Sequence, residues 1–363
     1  MSLIHQIALT LIKGVGPVTA KSLLHQFKSA EAVFLATEQE LLMLEGVGKV
    51  IAKQILYTDA LKLATEQLKF LTQYKIRVLF YTDDDYPHRL KNCCDAPILL
   101  YYKGTADLNH HRIISIVGTR KATSYGLLLC KQLADTLQHY NVLVVSGLAY
   151  GIDVAAHRQS LHYHIPTVGV LGHGLDRIYP AAHRQIALDM VKNGGLLTEF
   201  PPNTIPDKAN FPKRNRIIAG MADVVLVVEA AKKGGALITA EIASSYDRDV
   251  FAFPGKTTDE YSGGCNFLIK TNRAALISHA KDLAYYMGWE ALNEPKLMQQ
   301  TVIPIGLSAA ELSIVDLLRV SSLRIDALAL KVSVRQSKLA LCLLNLEMQG
   351  VIVSLPGQVY QLI

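Results

Sequence analysis

The sequence predicts an α/β protein in which a parallel β-sheet domain lies between two small, mainly helical modules. Three observations lead to this class. Short apolar runs alternate with helical patterns between residues 113 and 254, glycine-rich turns follow several of these runs, and helical periodicity dominates both ends of the chain. Alternating strands and helices are typical of βαβ units, whose parallel sheet is covered by helices on both faces.

The length and composition set the scale of the protein. With 363 residues, of which 50% are hydrophobic, the chain is long enough for two or three domains. Its longest apolar runs stop well short of the roughly 18 residues that cross a bilayer, and its first residues lack the pattern of a secretory signal. We therefore expect a cytoplasmic protein. A net charge of +6 is mild and favours a nucleic-acid partner only weakly.

The five cysteines stand at positions 93, 94, 130, 265 and 342. They form no C-x-x-C pair, and no histidine cluster has the spacing of a zinc site. Buried thiols are the simplest interpretation, and we expect neither a metal ion nor a cofactor.

The first predicted module covers residues 1–75 and contains a repeated element. GVGPVTAKSLL at Gly14–Leu24 is matched by GVGKVIAKQIL at Gly46–Leu56. Each Gly-x-Gly turn permits backbone N–H groups to face outward at the start of a helix, where a phosphate can bind. This is a SAM-like or helix-hairpin-helix-like pattern. A turn that serves only to pack two helices together is the alternative, and the sequence leaves both open.

The central domain is predicted to cover residues 76–290. Its strand-like runs are Ile76–Tyr81, Ile98–Tyr102, Ile113–Val117, Val142–Ser146, Thr167–Leu171, Leu196–Glu199, Val224–Glu229 and Val250–Pro254. Helical patterns lie between the later runs, at Tyr125–Tyr140, Val154–Leu161, Arg184–Lys192, Arg214–Gly220 and Ile238–Tyr246. In such a sheet the binding crevice lies outside the carboxyl ends of the strands.

A linker at residues 291–307 precedes a C-terminal module at 308–363. Three helices, Ala309–Val320, Ile325–Lys331 and Arg335–Gln349, are followed by a hairpin with Pro356-Gly357 at its tip, which predicts a winged helix. The third helix offers only Arg335 and Lys338 as cations, against Glu347. Protein contact is therefore at least as good an interpretation of this module as DNA contact.

Four loops that follow strands are built to present backbone donors. They are Gly118–Gly126, Ser146–Asp153, Leu171–Pro180 and Glu229–Glu241. Any one of them is explained as a packing turn, but their concurrence at one sheet edge favours an anionic ligand. The binding residues that we predict in these loops are Gly118, Thr119, Arg120, Lys121, Ser146, Gly147, Gly172, Gly234, Gly235 and Thr239, the last expected to cap its helix.

The most basic stretch is NFPKRNRII at Asn210–Ile218. Its three cations are predicted to lie in the first turn of a helix, where they repel the helix dipole unless an anion is bound. Phe211 and Tyr179 are candidates for stacking on bases, with plugging of the core as the alternative. From this stretch we add Phe211, Lys213, Arg214, Asn215 and Arg216 to the predicted site.

Six motifs in order carry a family resemblance: SIVGTRKATSYG, VSGLAYGIDVAAHRQSL, VGVLGHGLDRIYP, LLTEFPP, NFPKRNRIIAG and VFAFPG. Together they resemble the DNA processing protein A (DprA, or Smf) family over about residues 76–283. The resemblance implies an extended Rossmann-like sheet and single-stranded DNA binding without catalysis. It also implies protection of incoming DNA and loading of the RecA recombinase in natural transformation or recombination.

The chain departs from the family pattern at three places. GGALITA at Gly234–Ala240 lacks two hydroxyls, His173 replaces a small residue or cysteine, and Asn272-Arg273 replaces a Gly-Ala pair. Because asparagine tolerates positive φ, we expect the turn at Asn272 to survive.

One binding pocket is short, so useful affinity along a strand favours a homodimer or a higher assembly through avidity. The segments Ala274–Ile277 and Ser278–Trp289 at the end of the domain are candidate dimer surfaces.

An enzyme is the main alternative, because related Gly-Gly-x-x-Thr loops occur in nucleotide phosphoribohydrolases, which this domain resembles distantly. The carboxylates and histidines available for such chemistry are Glu199, Asp153, Asp176, Glu241, His157 and His173. Helix capping explains Asp153 and packing explains His157 more simply, so we predict no catalytic residue. A protein-interaction adaptor with incidental anion binding is the third possibility.

Overall fold

A computed structural model of the chain describes residues 2–291, 307–332, 334, 336–355 and 359–362. The chain forms two compact units, residues 1–292 and 293–363. Most of the predicted linker, Arg335 and Pro356-Gly357 lie outside the described residues. No helix in the described part of the chain is long and apolar enough to cross a membrane.

The first unit begins with six helices: α1 (Leu3–Leu11), α2 (Pro17–Phe27), α3 (Ala30–Leu35), α4 (Glu38–Leu42), α5 (Lys49–Leu56) and α6 (Ala60–Gln73). Gly14 and Gly46 adopt φ values of 87° and 84°, a region that glycine enters without strain. Helices α2 and α5 begin directly after Gly16 and Gly48. Both predicted hairpins are therefore present.

A nine-stranded sheet follows, with strands β1 (Arg77–Phe80), β2 (Leu99–Gly104), β3 (Ile113–Val117), β4 (Leu143–Ser146), β5 (Thr167–Val170), β6 (Gly194–Thr198), β7 (Val224–Val227), β8 (Asp249–Ala252) and β9 (Ala275–Leu276). Its helices are α7 (His88–Lys91), α8 (Ser124–Leu137), α9 (Ile152–His162), α10 (Arg184–Lys192), α11 (Asn210–Met221), α12 (Gly235–Ser245), α13 (Gly263–Lys270) and α14 (Ala280–Tyr286).

The strand order is β1-β2-β6-β5-β4-β3-β7-β8-β9. The last seven strands in this spatial order, which begin with β6 and end with β9, are parallel to one another. Strands β1 and β2 form an antiparallel edge beside β6. The predicted parallel sheet is confirmed.

Burial on both faces explains why the central strands are apolar throughout. Successive side chains of a strand point to opposite faces. Ile113 and Val117 of β3 lie in the hydrophobic cluster on one face, and Ile114 and Ile116 lie in the cluster on the other.

The N-terminal helices share a third cluster with the edge of the sheet. Ile7 and Leu71 pack there together with Phe80, Leu99 and Tyr101. The boundary predicted at residues 75 and 76 coincides with the turn between α6 and β1, and the segments on either side of it belong to one compact unit.

Helices α8 and α9 begin one or two residues earlier than the sequence predicts, and α11 and α12 begin three or four residues earlier. Helix α11 starts at Asn210 rather than at Arg214, so Pro212 lies inside the helix. A proline is tolerated there because the residues of the first turn do not need a backbone N–H. Helix α12 starts at Gly235, so Thr239 does not cap it and instead donates its hydroxyl to the Gly235 carbonyl at 2.9 Å. The prediction for Asn272 is confirmed, since its φ is 54°.

The second unit contains α15 (Ala309–Val320), β10 (Leu323–Arg324), α16 (Ile325–Val332), α17 (Gln336–Met348), β11 (Ile352–Leu355) and β12 (Val359–Leu362). The strands form an antiparallel sheet in the order β10-β12-β11. This arrangement confirms the predicted winged helix. Strand β10 was not predicted, because two residues are too short to show an alternating pattern.

Candidate nucleic-acid interface

The order in which strands are added to the sheet reverses next to β3. From β3 the chain adds β4, β5 and β6 on one side, and it then returns to place β7, β8 and β9 on the other side. Ligands of open α/β sheets bind outside the carboxyl ends of the strands at such a switch point. A groove of about 620 Å³ lies there, lined by the loops after β3, β4 and β7 and by the start of α11.

Backbone contacts hold the loops of this groove together. The Thr119 N–H donates to the Glu229 carbonyl at 2.7 Å, and the Ile152 N–H donates to the Thr119 carbonyl at 3.1 Å. A Cβ atom at Gly118 would overlap the side chain of Ile152, and Gly151 adopts a φ of 79°. Glycine is required at both positions because the loops approach so closely.

The N-terminus of α8 is satisfied within the chain. Thr123 caps this helix by accepting a hydrogen bond from the Gly126 N–H. The buried carboxylate of Glu229 accepts from the Thr123 N–H at 3.0 Å and also from its hydroxyl. Although the Gly118–Gly126 loop is one of those predicted to present donors to an anion, the end of the helix that follows it is already occupied by Glu229.

Two other helix N-termini line the groove. Within the described residues that of α12 has no acidic partner, whereas that of α11 is preceded by Asp207, whose carboxylate accepts from the Ala209 N–H at 2.7 Å. Neither Ala209 before α11 nor Gly234 before α12 forms a side-chain cap, and neither first turn contains an acidic residue. Phe211 and Pro212 of α11, and Gly235 of α12, are lining residues. At α11 the Asn210 N–H also donates to the Asp207 carbonyl at 3.1 Å, and Pro212 has no N–H, so few donors remain there. The end of α12 presents the positive pole of its helix dipole and backbone N–H groups without intrahelical partners.

The charge of the groove is predominantly positive. The five cationic lining residues are Arg120, Lys121, Lys208, Arg214 and Lys233, and the two acidic ones are Asp153 and Glu260. All of the cations except Arg214 are exposed. The groove is therefore suited to an anionic ligand that reaches it from solvent.

Arg214 forms part of the floor of the groove. It is only 4% exposed, and its Nη1 donates to the Val170 carbonyl at 2.9 Å. A Cβ atom at Gly147 would overlap the guanidinium group, which explains the need for glycine in this loop. Burial raises the pKa of Asp153, and Arg214 is the main charge that opposes this rise.

Asp153 does not cap α9, contrary to the expectation from the sequence. The residue that precedes the helix is Gly151, which forms no side-chain cap, and Asp153 lies in the first turn and lines the groove.

Three predicted contact residues line neither the groove nor the smaller recess that adjoins it. The Ser146 hydroxyl is fully buried and donates to the Ile116 carbonyl at 2.6 Å. Arg216 binds the Glu199 carboxylate and the Asp95 carbonyl, and its side chain is 12% exposed. Lys213 is exposed and lies outside the groove, on the side of Glu199. Burial raises the pKa of Glu199, and the charge of Lys213 opposes part of this rise.

The helix period explains why the three cations predicted to share one site do not all reach the groove. Successive residues of a helix are separated by about 100° of rotation. The three cations of the KRNR segment therefore point in different directions, and only Arg214 faces the groove.

The other predicted residues are brought together. Gly118, Thr119, Arg120, Lys121, Arg214, Asn215, Phe211, Gly234, Gly235 and Thr239 line the groove. Gly147 and Gly172 line a smaller adjoining recess of about 40 Å³, which shares Arg120, Phe211 and Arg214 with the groove.

Aromatic side chains surround this recess. Tyr150 and Tyr179 are each 50% exposed, and the Tyr179 and Phe211 ring centroids are 6.3 Å apart. The guanidinium carbon of Arg120 lies 5.3 Å from the Phe211 ring centroid. An unpaired base can stack on such a surface while its phosphate lies among the cations.

Sequence reasoning missed Lys208, Lys233, Tyr150 and Tyr261 as lining residues. A signal existed for two of them: Lys233 stands beside Gly234 in a loop already singled out, and Tyr150 lies between two glycine-rich turns. Lys208 and Tyr261 come from segments that only the fold brings to this edge.

The acidic and histidine residues considered for catalysis are dispersed. His157 is fully buried, its Nδ1 lies 2.7 Å from the Thr167 hydroxyl oxygen, and burial lowers its pKa to about 3. Glu241 forms an exposed ion pair with Arg273. Of the four carboxylates considered, only Asp153 lines the groove. No group of three or more metal-binding side chains occurs within the described ranges.

The fold and the groove define a Rossmann-type protein with a cationic site at the switch point, accompanied by a helix-hairpin-helix module and a winged helix. Residues 77–288 match the family described as DNA recombination-mediator protein A. Residues 7–61 match the SAM-like helix-hairpin-helix tandem, and residues 299–358 match the DprA winged helix domain. The chain belongs to the DprA/Smf family.

Curated relatives support this assignment. Protein Smf of Synechocystis is 37% identical over 77% of this chain and 71% of its own length. The DNA processing protein DprA of Streptococcus pneumoniae is 42% identical over 55% of this chain and 71% of its own length. DprA of Bacillus subtilis is 38% identical over 65% of this chain and 82% of its own length.

Two solved structures are similar to this chain. The X-ray structure of DprA from Streptococcus pneumoniae has a TM-score of 0.70 at 30% identity and covers 80% of this chain and 99% of its own. DprA from Helicobacter pylori, described for its single-stranded DNA binding mode, has a TM-score of 0.54 at 26% identity. It covers 60% of this chain and 98% of its own.

Proposed function

We propose that this protein binds single-stranded DNA in the groove at the β3/β7 switch point without chemically altering it. The observation that carries the proposal is the convergence of five cationic side chains and the uncapped N-terminus of α12 on one groove in a member of the DprA/Smf family. The similarity to DprA from Helicobacter pylori, a protein described for its single-stranded DNA binding, supports it.

The strand would be held mainly by its backbone. Arg120, Lys121, Lys208 and Lys233 would neutralise phosphates from the exposed sides of the groove, and the first turn of α12 would donate N–H groups. These contacts carry no sequence information, so binding is expected to be tolerant of sequence.

Stacking would distinguish a single strand from a duplex. The exposed face of Tyr179 and the neighbouring Phe211 ring lie beside the cations, in the recess that adjoins the groove. A base reaches this surface only if it is unstacked, and base–aromatic stacking contributes about 1–3 kcal/mol for each base. A stiff duplex would have to bend and unstack to make the same contact.

A nucleotide hydrolase remains the second candidate, favoured by the resemblance of the Gly234–Thr239 loop to phosphoribohydrolase loops. Catalysis would need a carboxylate at the edge of the sheet where the phosphate binds. Of the four carboxylates considered above, Asp153 is the one that lines the groove. Its neighbour Arg214 and its burial suit a structural role better than general base catalysis. We therefore propose a non-enzymatic function.

Protection of incoming DNA and loading of RecA extend the proposal and rest on family membership. A homodimer is proposed on the same basis, because one groove spans only a short length of strand. Strand β9 and helix α14, which occupy the segments named as dimer surfaces, end the first unit and expose Leu276, Tyr285 and Tyr286. The cytoplasmic location stays a prediction from composition.

The direct test compares the affinities for single- and double-stranded oligonucleotides of one sequence over a salt series. We expect the single strand to bind more tightly at every salt concentration, with a linear dependence of log K on log [salt]. Equal affinity for both would contradict binding in the groove. Incubation with nucleoside monophosphates addresses the second candidate, and release of free base without strand binding would favour the hydrolase.

A further inference from the structure

The loop after β4 contains a buried leucine in a strained backbone conformation. Leu148 adopts a φ of 55°, and its side chain is 0% exposed. The other seven non-glycine residues with positive φ in the described part of the chain are lysine, asparagine, aspartate or histidine, and all seven are exposed. Leucine is sterically disfavoured in this region, so the surroundings must hold it there. Strained residues of this kind cluster at binding sites.

His183 holds the carbonyl group of the strained residue. Its Nδ1 lies 2.9 Å from the Leu148 carbonyl oxygen. Because a carbonyl oxygen can only accept, Nδ1 carries the hydrogen and donates it. His183 is 3% exposed and lines neither the groove nor the recess. Any effect of this side chain on binding must therefore pass through the loop.

The same histidine ring supports an aromatic wall of the recess. The rings of His183 and Tyr150 are in edge-to-face contact, with centroids 4.9 Å apart and planes at 69°. This is a favourable separation for an aromatic pair. Tyr150 is half exposed and lines the recess together with Leu148. An exposed ring that lines the binding site is thus packed against a buried one.

Another part of the recess wall comes from the segment that carries His183. Tyr179 and Pro180 line the recess, and the 3₁₀ turn Ala181–His183 follows them directly. The His183 N–H donates to the Pro180 carbonyl at 3.0 Å. His183 therefore connects the segment that contains Tyr179 to the loop that contains Tyr150.

We propose that His183 is a positioning residue that fixes Tyr150 for stacking on a base of the bound strand. The hydrogen bond to Leu148 keeps the loop in its strained conformation, and this conformation sets the position of Tyr150 two residues later. Loss of the bond lets Leu148 relax toward negative φ, which moves the Tyr150 ring. The role in binding rests on the proposed function, whereas the support of the loop does not.

Hydrogen exchange of the free full-length protein tests the support of the loop. His183→Phe keeps a ring beside Tyr150 and removes the donor, whereas His183→Asn removes the ring and keeps an N–H donor near the position of Nδ1. We expect the segment 146–152 to exchange at least about fivefold faster in His183→Phe and within about twofold of the unmodified rate in His183→Asn. Unchanged exchange in His183→Phe, or equal acceleration in both variants, would overturn the proposal. If the larger ring is not accommodated, His183→Leu tests the same loss of the donor.

Oligonucleotides of equal charge test the consequence for DNA. A thymidine strand and an abasic strand of the same length carry the same phosphates, so the ratio of their affinities measures what the bases contribute. Stacking of one base on an aromatic side chain contributes roughly 5- to 150-fold. We expect this ratio to fall at least about fivefold in Tyr150→Ala and in His183→Phe, and to stay within about twofold of the unmodified value in His183→Asn. The double variant Tyr150→Ala/His183→Phe should show no further fall, because His183 acts through Tyr150.

His162→Phe is the matched control. His162 also forms an edge-to-face ring pair at 4.9 Å, with Tyr163, and neither of these residues lines the groove or the recess. The affinity ratio should be unchanged in this variant.

The outcomes separate this inference from the proposed function. A ratio that falls in Tyr150→Ala but not in His183→Phe would overturn the positioning role, and so would a further fall in the double variant. Equal binding of both strands by the unmodified protein would overturn the stacking role and leave phosphate binding in the groove intact. Failure of the unmodified protein to bind the thymidine strand would instead count against the proposed function.

Discussion

Replacing Arg120 with alanine tests the groove most directly. The side chain is exposed, lines both the groove and the recess, and forms no ion pair with a carboxylate within the described part of the chain. Its one aromatic contact is the Phe211 ring, at 5.3 Å from the centroid. The change therefore removes a ligand contact and costs little stability, about 0.5 kcal/mol or less.

The expected magnitude follows from the number of exposed cations. Four exposed cationic residues line the groove, and each neutralised phosphate of a single strand contributes about 0.7 to the slope of log K against log [salt]. The unmodified protein should then show a slope of about −2.8, and Arg120→Ala a slope of about −2.1. Raising the salt concentration fourfold should weaken the unmodified protein about 50-fold and the variant about 18-fold.

Fluorescence anisotropy with a labelled single strand at several salt concentrations measures both slopes. Arg158→Ala is the matched control, because Arg158 is exposed on α9 and does not line the groove. Arg120→Lys keeps the charge and should keep the slope while it weakens the contact with Phe211. If Arg120→Ala retained both the affinity and the slope of the unmodified protein, the assignment of the groove would be refuted.

Three further predictions address the surroundings of the groove. Gly147→Ala should displace Arg214, lowering stability by about 1–3 kcal/mol and weakening strand binding, as measured by thermal unfolding and anisotropy. His157 has a folded-state pKa of about 3, below its unfolded value, so the stability that it contributes is complete above about pH 6.5 and is lost as the pH falls toward 3. Urea unfolding at pH 7, 6 and 5 should show this loss at up to about 1.4 kcal/mol per pH unit, and His157→Gln should flatten it. Arg216→Ala should lower the unfolding free energy by about 1–3 kcal/mol, because Glu199 loses its partner. The same change should leave the salt slope of DNA binding unchanged. A changed slope would show that Arg216 belongs to the binding site.

Most of the fold could be predicted from local patterns. Apolar runs bounded by glycine turns located the parallel strands, since a strand buried on both faces must be apolar throughout. Strand β10 and the true start of α11 could not be located in this way. The first is too short to show a period, and the second depends on Pro212 being accepted in the first turn of a helix.

The candidate site was predicted in part. The glycine loops after β3 and β7 were recognised because glycine turns can present backbone N–H donors to an anion, and the structure brings both into one groove. The roles of neighbouring cations could not be separated, because Arg214 and Arg216 differ by only two positions in the chain. Their directions differ by about 200° around the helix axis, and that rotation sends one into the groove and the other to Glu199.

The sequence by itself determined the order of the elements and the family, because these depend on periodicity, turn residues and motifs that are local in the chain. The division between the N-terminal helices and the sheet domain, by contrast, stays a prediction, since both belong to one compact unit. The tertiary structure alone decided which donors remain available to a ligand. Glu229 was counted among the residues of an anion-binding loop, but its carboxylate is folded back onto Thr123 and closes the N-terminus of α8. The N-terminus of α12 stays uncapped and lines the groove. Such availability depends on contacts between residues more than a hundred positions apart, which no local pattern encodes.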